Sequence, residues 1–384
     1  MKKDRGRVPK DYRAFINFVK AFAIIWIFSY HALNARFMMR PFSANFARNV
    51  TERFFVDHSG LLSYLKGACV LLFYKGHLGV ELFLVASGFG LYLSHLNRPA
   101  TWGRFYARRA VRIVPLYWAG LLVYYFVGMS LDITPGSLLQ SMFFVQVYTK
   151  HYLDFGPMWF IGGIVFMYLL FPLFVRAFER RATRWGLVAL SFALYPLSLW
   201  LINATGAAYG GVVLTRYIPV FVLGMLVARS VHDGTRLHRI VSPNVILSLL
   251  AFAVYCAVFV AQSYHRAPLA LEADNVLAIA MYLSLGLPYL VIRRVFTERA
   301  IGFVSAAAYV TFLLHMQWQF VVASMAIGYN LVHYRQLPTG VAQFTSHYEF
   351  IVMSLVALIT LVPAAYLIQA GYDRLVGVLR ARLA

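Results

Sequence analysis

Two residues of the first apolar stretch carry chemistry that a membrane span rarely tolerates. Lys20 and His31 lie in INFVKAFAIIWIFSYH, with ten residues between them. On one α-helix they stand roughly 16 Å apart along the axis. A neutral imidazole can take the proton of an attacking hydroxyl, which makes His31 a candidate general base. The alternative is structural: Lys20 snorkels to headgroups and His31 sits at the interface. Glu81, in GHLGVELFLVASGFGLY, is the second such position. A carboxylate inside a span is costly unless paired. Glu81 falls at the depth of His31 on the antiparallel neighbour, so it is expected to hold one imidazole nitrogen and raise the basicity of the other. The competing reading pairs Glu81 with Lys75, His77 or Arg216, as a bundle contact only.

The third group is the stretch RFYARRAVRIVPLYW, read as an inner loop that ends where Pro115 starts the next span. Arg108, Arg109 and Arg112 fall within about one helical turn, so at least two share a face. Guanidinium groups bind phosphate with bidentate geometry, and Phe105, Tyr106, Tyr117 and Trp118 could stack a ring. Topogenic charge explains the same count. Arg216, in LTRYIPVFVLGM, and His315, in YVTFLLHMQW, are further ionisable residues in or beside spans. Ser87, Gly88, Gly90, Gly162 and Gly163 are small enough to let helices approach. Close packing is favoured for Ser87 over a role as nucleophile.

The elements that must hold these residues follow from composition. Of 384 residues, 61% are hydrophobic and only 13% charged, against about 25% in soluble proteins. Apolar runs of about 20 residues, enough to cross a bilayer, recur along the chain. The sequence predicts ten spans, at roughly 14–33, 77–95, 115–130, 158–176, 185–203, 213–229, 244–262, 275–292, 301–325 and 350–370. The expected fold is therefore an all-α polytopic membrane bundle. It occupies 1–384 as a single domain, with a basic tail at 1–13 and no appended soluble domain.

The net charge of +21 is distributed by side. Lys2, Lys3, Arg5 and Arg7 of the tail fall on the same side as the arginines after every even-numbered span. The opposite loops hold little besides Lys150, Arg266 and Arg335. By the positive-inside rule both termini are expected in the cytoplasm, with anionic lipid headgroups as neighbours. Nucleic acid is not an expected partner. Loop 34–76 is the exception, with six cations, and is expected to hold a half-buried helix at 61–73. The first span is too long and too polar for a cleaved signal. Cys69 and Cys256 have no partner spacing, so neither a disulfide nor a metal site is expected, and no cofactor motif is present.

In order along the chain, these segments resemble the acyltransferase-3 family of integral membrane proteins. Lys20 and His31 resemble its Arg/Lys-x10-His signature. GVELFLVASGF is similar to its second-span motif, with Glu81 where Asp is usual. FYARRAVRIVPLYW, RYIPVFVLGM and SAAAYVTFLLH resemble three later segments, and Trp159 to Pro172 keeps a Trp-to-Pro spacing. One departure is the pair Ile164 and Val165, where many members carry a Glu. The resemblance implies transfer of an acyl group, often acetyl, from cytoplasmic acyl-CoA to a hydroxyl of a surface polysaccharide or lipid-linked glycan. His31 and Glu81 would then be catalytic. Arg108, Arg109, Arg112 and Lys20 would bind the donor, with Arg216, His315, Trp159 and Ser87 as accessory candidates. The enzyme would sit as a multi-pass protein in the inner membrane. A polysaccharide or lipid exporter using the same cavity without acyl chemistry is the alternative.

Overall fold

Lipid offers no hydrogen bonds to a backbone, so long apolar runs must satisfy their peptide groups internally as helices. The computed structural model describes residues 10–37, 60–127, 133–149, 154–205, 214–264, 270–326 and 347–382, and every regular element among them is helical. Residues 1–9, with the start of the basic tail, lie outside the described residues, as do Arg40, Arg48, Arg53, Lys150, Arg266 and Arg335. Among the described residues ten helical segments are long and apolar enough to cross a membrane. Each overlaps one of the ten expected spans. In chain order they are α1 (Lys10–Phe37), α3 (Gly79–Asn97), α4 (Trp102–Val127), α6 (Trp159–Glu179), α7 (Arg181–Thr205), α8 (Ile218–Asp233) and α10 (Val245–Tyr264). The eighth crossing is divided into α11 (Ala270–Ser284) and α12 (Gly286–Val295), and α13 (Glu298–Ala326) and α14 (His347–Arg382) complete the set. Shorter pieces lie between them: α2 (Leu61–Tyr74), α5 (Pro135–Met142) and α9 (Arg236–Val241). The helix expected at 61–73 is α2.

Burial separates the centre of the bundle from its rim. In the segment Gly76–Asn97, which contains α3, 78% of the most apolar window is inside the protein, against 6% for Arg181–Ile202 in α7. A span that is apolar yet uncovered presents its side chains to lipid, so α7 is peripheral and α3 central. Beside α3 stand α8 and α1, and α13 packs against α1 in turn; Trp26, Phe15, Phe221 and Leu313 are among the buried side chains of this core. The closest crossing is that of α3 with α8. A Cβ added to Gly224 would lie 2.1 Å from the Val85 carbonyl oxygen, and one on Gly88 2.2 Å from that of Phe221. Only glycine permits backbones at this distance. Gly162 likewise faces the Val147 side chain at 2.7 Å, whereas a Cβ on Gly90 would meet nothing within 4 Å. Gly90 therefore has no packing role of the kind expected of it.

The arginine-rich stretch differs from expectation. It is no loop before a span that starts at Pro115: α4 runs unbroken from Trp102 to Val127, with Pro115 inside it. A proline in a helix removes one donor and frees the carbonyl four residues earlier. Here that carbonyl belongs to Val111, and it accepts a hydrogen bond from the Tyr372 hydroxyl of α14. The helix continues because a neighbour supplies the missing partner, as is usual for proline in membrane helices.

Candidate active site

Helices that alternate in direction bring the polar residues to two ends of the bundle. The start of α1, the end of α3 and the start of α4 share one end, which holds the arginines. The end of α1, the start of α3 and the start of α8 share the other, which holds the histidines and the carboxylates.

At the arginine end, Leu91, Ser94, His95 and Arg98 from α3 and its C-terminal cap face Trp102, Phe105, Arg108 and Arg109 of α4 and Phe171 of α6. Together they line a small, open cleft. His95 stacks on Trp102 with ring centroids 5.7 Å apart and planes 6° from parallel. The Arg109 guanidinium lies over the Phe105 ring and hydrogen-bonds Tyr168 of α6, while its Nε is buried without a partner. Arg112, one turn along α4, points away from the cleft lining and comes within electrostatic reach of Lys20 on α1. Of the three arginines expected to act together, Arg108 and Arg109 line the cleft with Arg98, while Arg112 lies off it, within electrostatic reach of both Arg109 and Lys20. Such a site can hold phosphate and a flat ring.

Polar side chains continue from this end into the bundle. Ser87 Oγ is 3.3 Å from the Tyr168 hydroxyl, with no base against it among the described residues. Tyr309 donates to the Ile113 carbonyl at 2.9 Å, and Thr311 is fully buried on the same helix, with its hydroxyl lacking a partner.

At the opposite end, charges of both signs form one web. Arg216, in the 3-10 turn Leu214–Tyr217 before α8, donates through Nη2 to Glu81 Oε1 at 3.0 Å and to Asp274 Oδ2 at 2.9 Å. Lys75 donates to Asp274 Oδ1 at 3.3 Å and to Gln262 Oε1 at 2.7 Å, and Gln262 Nε2 donates to the same Asp274 oxygen at 3.1 Å. His77 Nε2 lies 3.9 Å from Asp274 Oδ2. Two carboxylates and two cations therefore balance across the starts of α3, α8 and α11 and the end of α10. Glu81 also occupies the first turn of α3, where the helix dipole favours a carboxylate. Its second oxygen, Oε2, is buried without a partner. Trp159, at the start of α6, packs on Tyr217 at 5.8 Å, and the Arg216 guanidinium lies over the Tyr217 ring. Tyr74, at the end of α2 and outside the spans, has its hydroxyl pKa pushed up to about 12 by burial and by Tyr30 and Asp274. It stays a neutral group beside the web.

The expected pairing of His31 with Glu81 is corrected by this geometry. The helices are neighbours, yet among the described residues no hydrogen bond or ion pair joins the two side chains. A guanidinium is charged at all accessible pH and binds a carboxylate more strongly than a neutral imidazole does, so Arg216 captures Glu81. The bundle contact with Arg216, kept open on the sequence, is the one present. His31 is half-buried and sits among rings instead: Tyr30 at 5.1 Å and His315 of α13 at 4.9 Å between centroids. Tyr30 in turn packs on His77 at 5.3 Å. His315 is fully buried, its Nδ1 2.7 Å from the Phe312 carbonyl.

Several participants were not singled out on the sequence. Asp274 falls one residue before the expected eighth span, so it was left in a loop although it is one of only 14 acidic residues. Lys75 was offered only as a possible partner of Glu81 and as a loop cation that broke the charge bias; it contacts Asp274 and Gln262 instead. Gln262, His95 and Trp102 carry no signal that separates them from ordinary span ends.

No curated protein and no solved structure matches this chain. A family model described as an acyltransferase domain matches residues 13–369, nearly the whole length, and includes every residue of both clusters. That match, on a bundle with ten membrane-crossing helices, separates an enzyme from a carrier that merely shares its shape: the chain belongs to the acyltransferase-3 family and is a multi-pass membrane acyltransferase.

Proposed function

We propose that the protein moves an acyl group, acetyl by preference, from cytoplasmic acyl-CoA to a hydroxyl of a surface polysaccharide or its lipid-linked precursor. The observation that carries this reading is the division of the polar groups. A basic, aromatic cleft suited to a phosphorylated nucleotide lies at one end, and a half-buried histidine among aromatic rings, at the same end as the charged web, lies at the other. The arginine end faces the cytoplasm with both termini, as the positive-inside rule directs for a protein of the inner membrane. Arg98, Arg108 and Arg109 hold the donor's phosphates, with Trp102 as a platform for its ring. The acyl-bearing arm passes Tyr168, Tyr309 and Thr311, and Lys20 with Arg112 adds positive potential on the way.

Chemistry takes place at His31. The acceptor oxygen bonds to the thioester carbonyl carbon as its proton passes to the imidazole. The carbon–sulfur bond then breaks, and the thiolate takes the proton back from the imidazolium and leaves as free CoA. A positioned base contributes about 10²–10⁴-fold to such a step. Glu81 acts through Arg216, holding the far end of the bundle in register around the acceptor. No further cofactor is required by this scheme.

The test uses purified protein reconstituted in vesicles with radiolabelled acetyl-CoA and lipid-linked glycan. Label is expected in the glycan, and mass spectrometry then locates the ester. Glycan movement with no label transferred would favour an exporter and overturn the proposal.

A further inference from the structure

The buried imidazole of His315 has no part in the scheme above, and its surroundings are unusual. Its Nδ1 lies 2.7 Å from the Phe312 carbonyl oxygen, which can only accept. Nδ1 therefore carries the hydrogen, and in the neutral ring Nε2 presents a lone pair. That nitrogen is buried and has no hydrogen-bond partner. An acceptor removed from water and left unpaired costs free energy, so such a group in a native core calls for an explanation. The ring that faces it is His31, with centroids 4.9 Å apart and planes inclined by 51°. The two rings are not hydrogen-bonded as they stand, but an N–H···N bond of about 2.9 Å between two imidazoles needs a similar centroid separation, so the spacing admits one when the rings reorient.

We infer that His315 is a positioning residue for the transfer reaction: its Nε2 accepts the N–H of His31, so that the other His31 nitrogen is the one presented to the acceptor hydroxyl. The inference rests on the reading of His31 as the base. The Phe312 carbonyl fixes the tautomer of His315, and His315 fixes that of His31. When His31 takes the proton, the same contact becomes a charge-assisted bond to the imidazolium. Glu81 makes no hydrogen bond to His31 and is held by Arg216 through Oε1. The other groups around the pair are Tyr30, adjacent on α1, and His77, beyond it in the turn before α3. Phe312 packs on His315 at 5.6 Å from its own helix.

Glutamine and asparagine separate this role from direct base catalysis, and the split between kcat and KM separates it from packing. Glutamine at 315 places its carbonyl oxygen near the position of Nε2 and can still accept from His31, whereas the asparagine amide stops near Nδ1. Turnover of acetyl-CoA by full-length His315→Gln, His315→Asn and His31→Ala is compared in vesicles, with KM for the donor as the control on folding. His315→Asn is expected to lose kcat on the order of tenfold to a hundredfold, a part of what the base itself supplies. His315→Gln should stay within about threefold of the parent, and KM should not move. Equal loss in the two variants would overturn the inference, since a direct base predicts that result. So would normal kcat in both. Normal turnover of His31→Ala would instead remove the reading on which the inference rests, whatever the 315 variants do.

Discussion

Replacing Arg216 with methionine isolates the web at the far end of the bundle. The guanidinium bridges Glu81 at 3.0 Å and Asp274 at 2.9 Å, and Glu81 is only 1% exposed. Methionine keeps much of the side-chain bulk and removes the charge. Asp274 retains Lys75 and Gln262, but Glu81 is left as an uncompensated buried carboxylate. Breaking a buried pair from one side costs about 3–5 kcal/mol. At roughly 2 °C per kcal/mol for a long chain, the melting temperature in detergent should fall by about 6–10 °C. The double variant Arg216→Met/Glu81→Gln removes the stranded charge and should recover more than half of the loss. Thermal melts followed by tryptophan fluorescence, with size-exclusion chromatography of heated samples, measure both. Equal losses in the single and double variants would refute the argument, because the damage would not come from Glu81. A loss of similar size in His31→Gln would restore the pairing of Glu81 with His31.

The remaining expectations concern activity, packing and topology. His31→Ala should lose turnover by about 10²–10⁴-fold with acyl-CoA binding kept, as measured by single-turnover transfer and by equilibrium binding. Arg109→Ala and Arg98→Ala should each weaken acyl-CoA binding tenfold or more, since a hydrogen bond to a charged group is worth about 1.5–3 kcal/mol. Arg112→Ala, which lies off the cleft, should lower affinity less, and isothermal titration in nanodiscs ranks the three. Gly224→Ala should abolish stable folding, because its Cβ would meet the Val85 carbonyl oxygen at 2.1 Å, while Gly90→Ala should be silent in the same expression and melting assay. Cysteines introduced at positions 5 and 150 should label from opposite faces of the membrane with an impermeant reagent.

Much of this was legible without the structure because it is written locally. Hydropathy over some twenty residues reports whether a segment can cross a bilayer, and all ten crossings, together with α2, were placed by it. Charge in the connecting loops gives a rule for sidedness by the same kind of local reading. The candidate residues were found because an ionisable group in an apolar run stands out by itself. Pro115 misled the reading because a proline marks a boundary in water, whereas in α4 the Tyr372 hydroxyl meets the carbonyl it frees.

Partnership was a different matter. Glu81 lies 135 positions from Arg216, and Arg216 is 58 from Asp274, separations at which no local pattern operates. Depth in the membrane brought His31 and Glu81 to the same level, and depth was all the sequence offered. The rotation of each helix about its axis decides which groups meet. That rotation follows from packing, above all from the approach of α3 to α8 at Gly88 and Gly224, which places the start of α3 against the turn that bears Arg216. Residue types and spacing thus established a ten-span membrane protein resembling a known acyltransferase family and the inventory of its polar groups. Only the packed bundle decided that Arg216 takes Glu81 and that His31 faces His315, because those choices depend on side-chain contacts between helices remote in sequence.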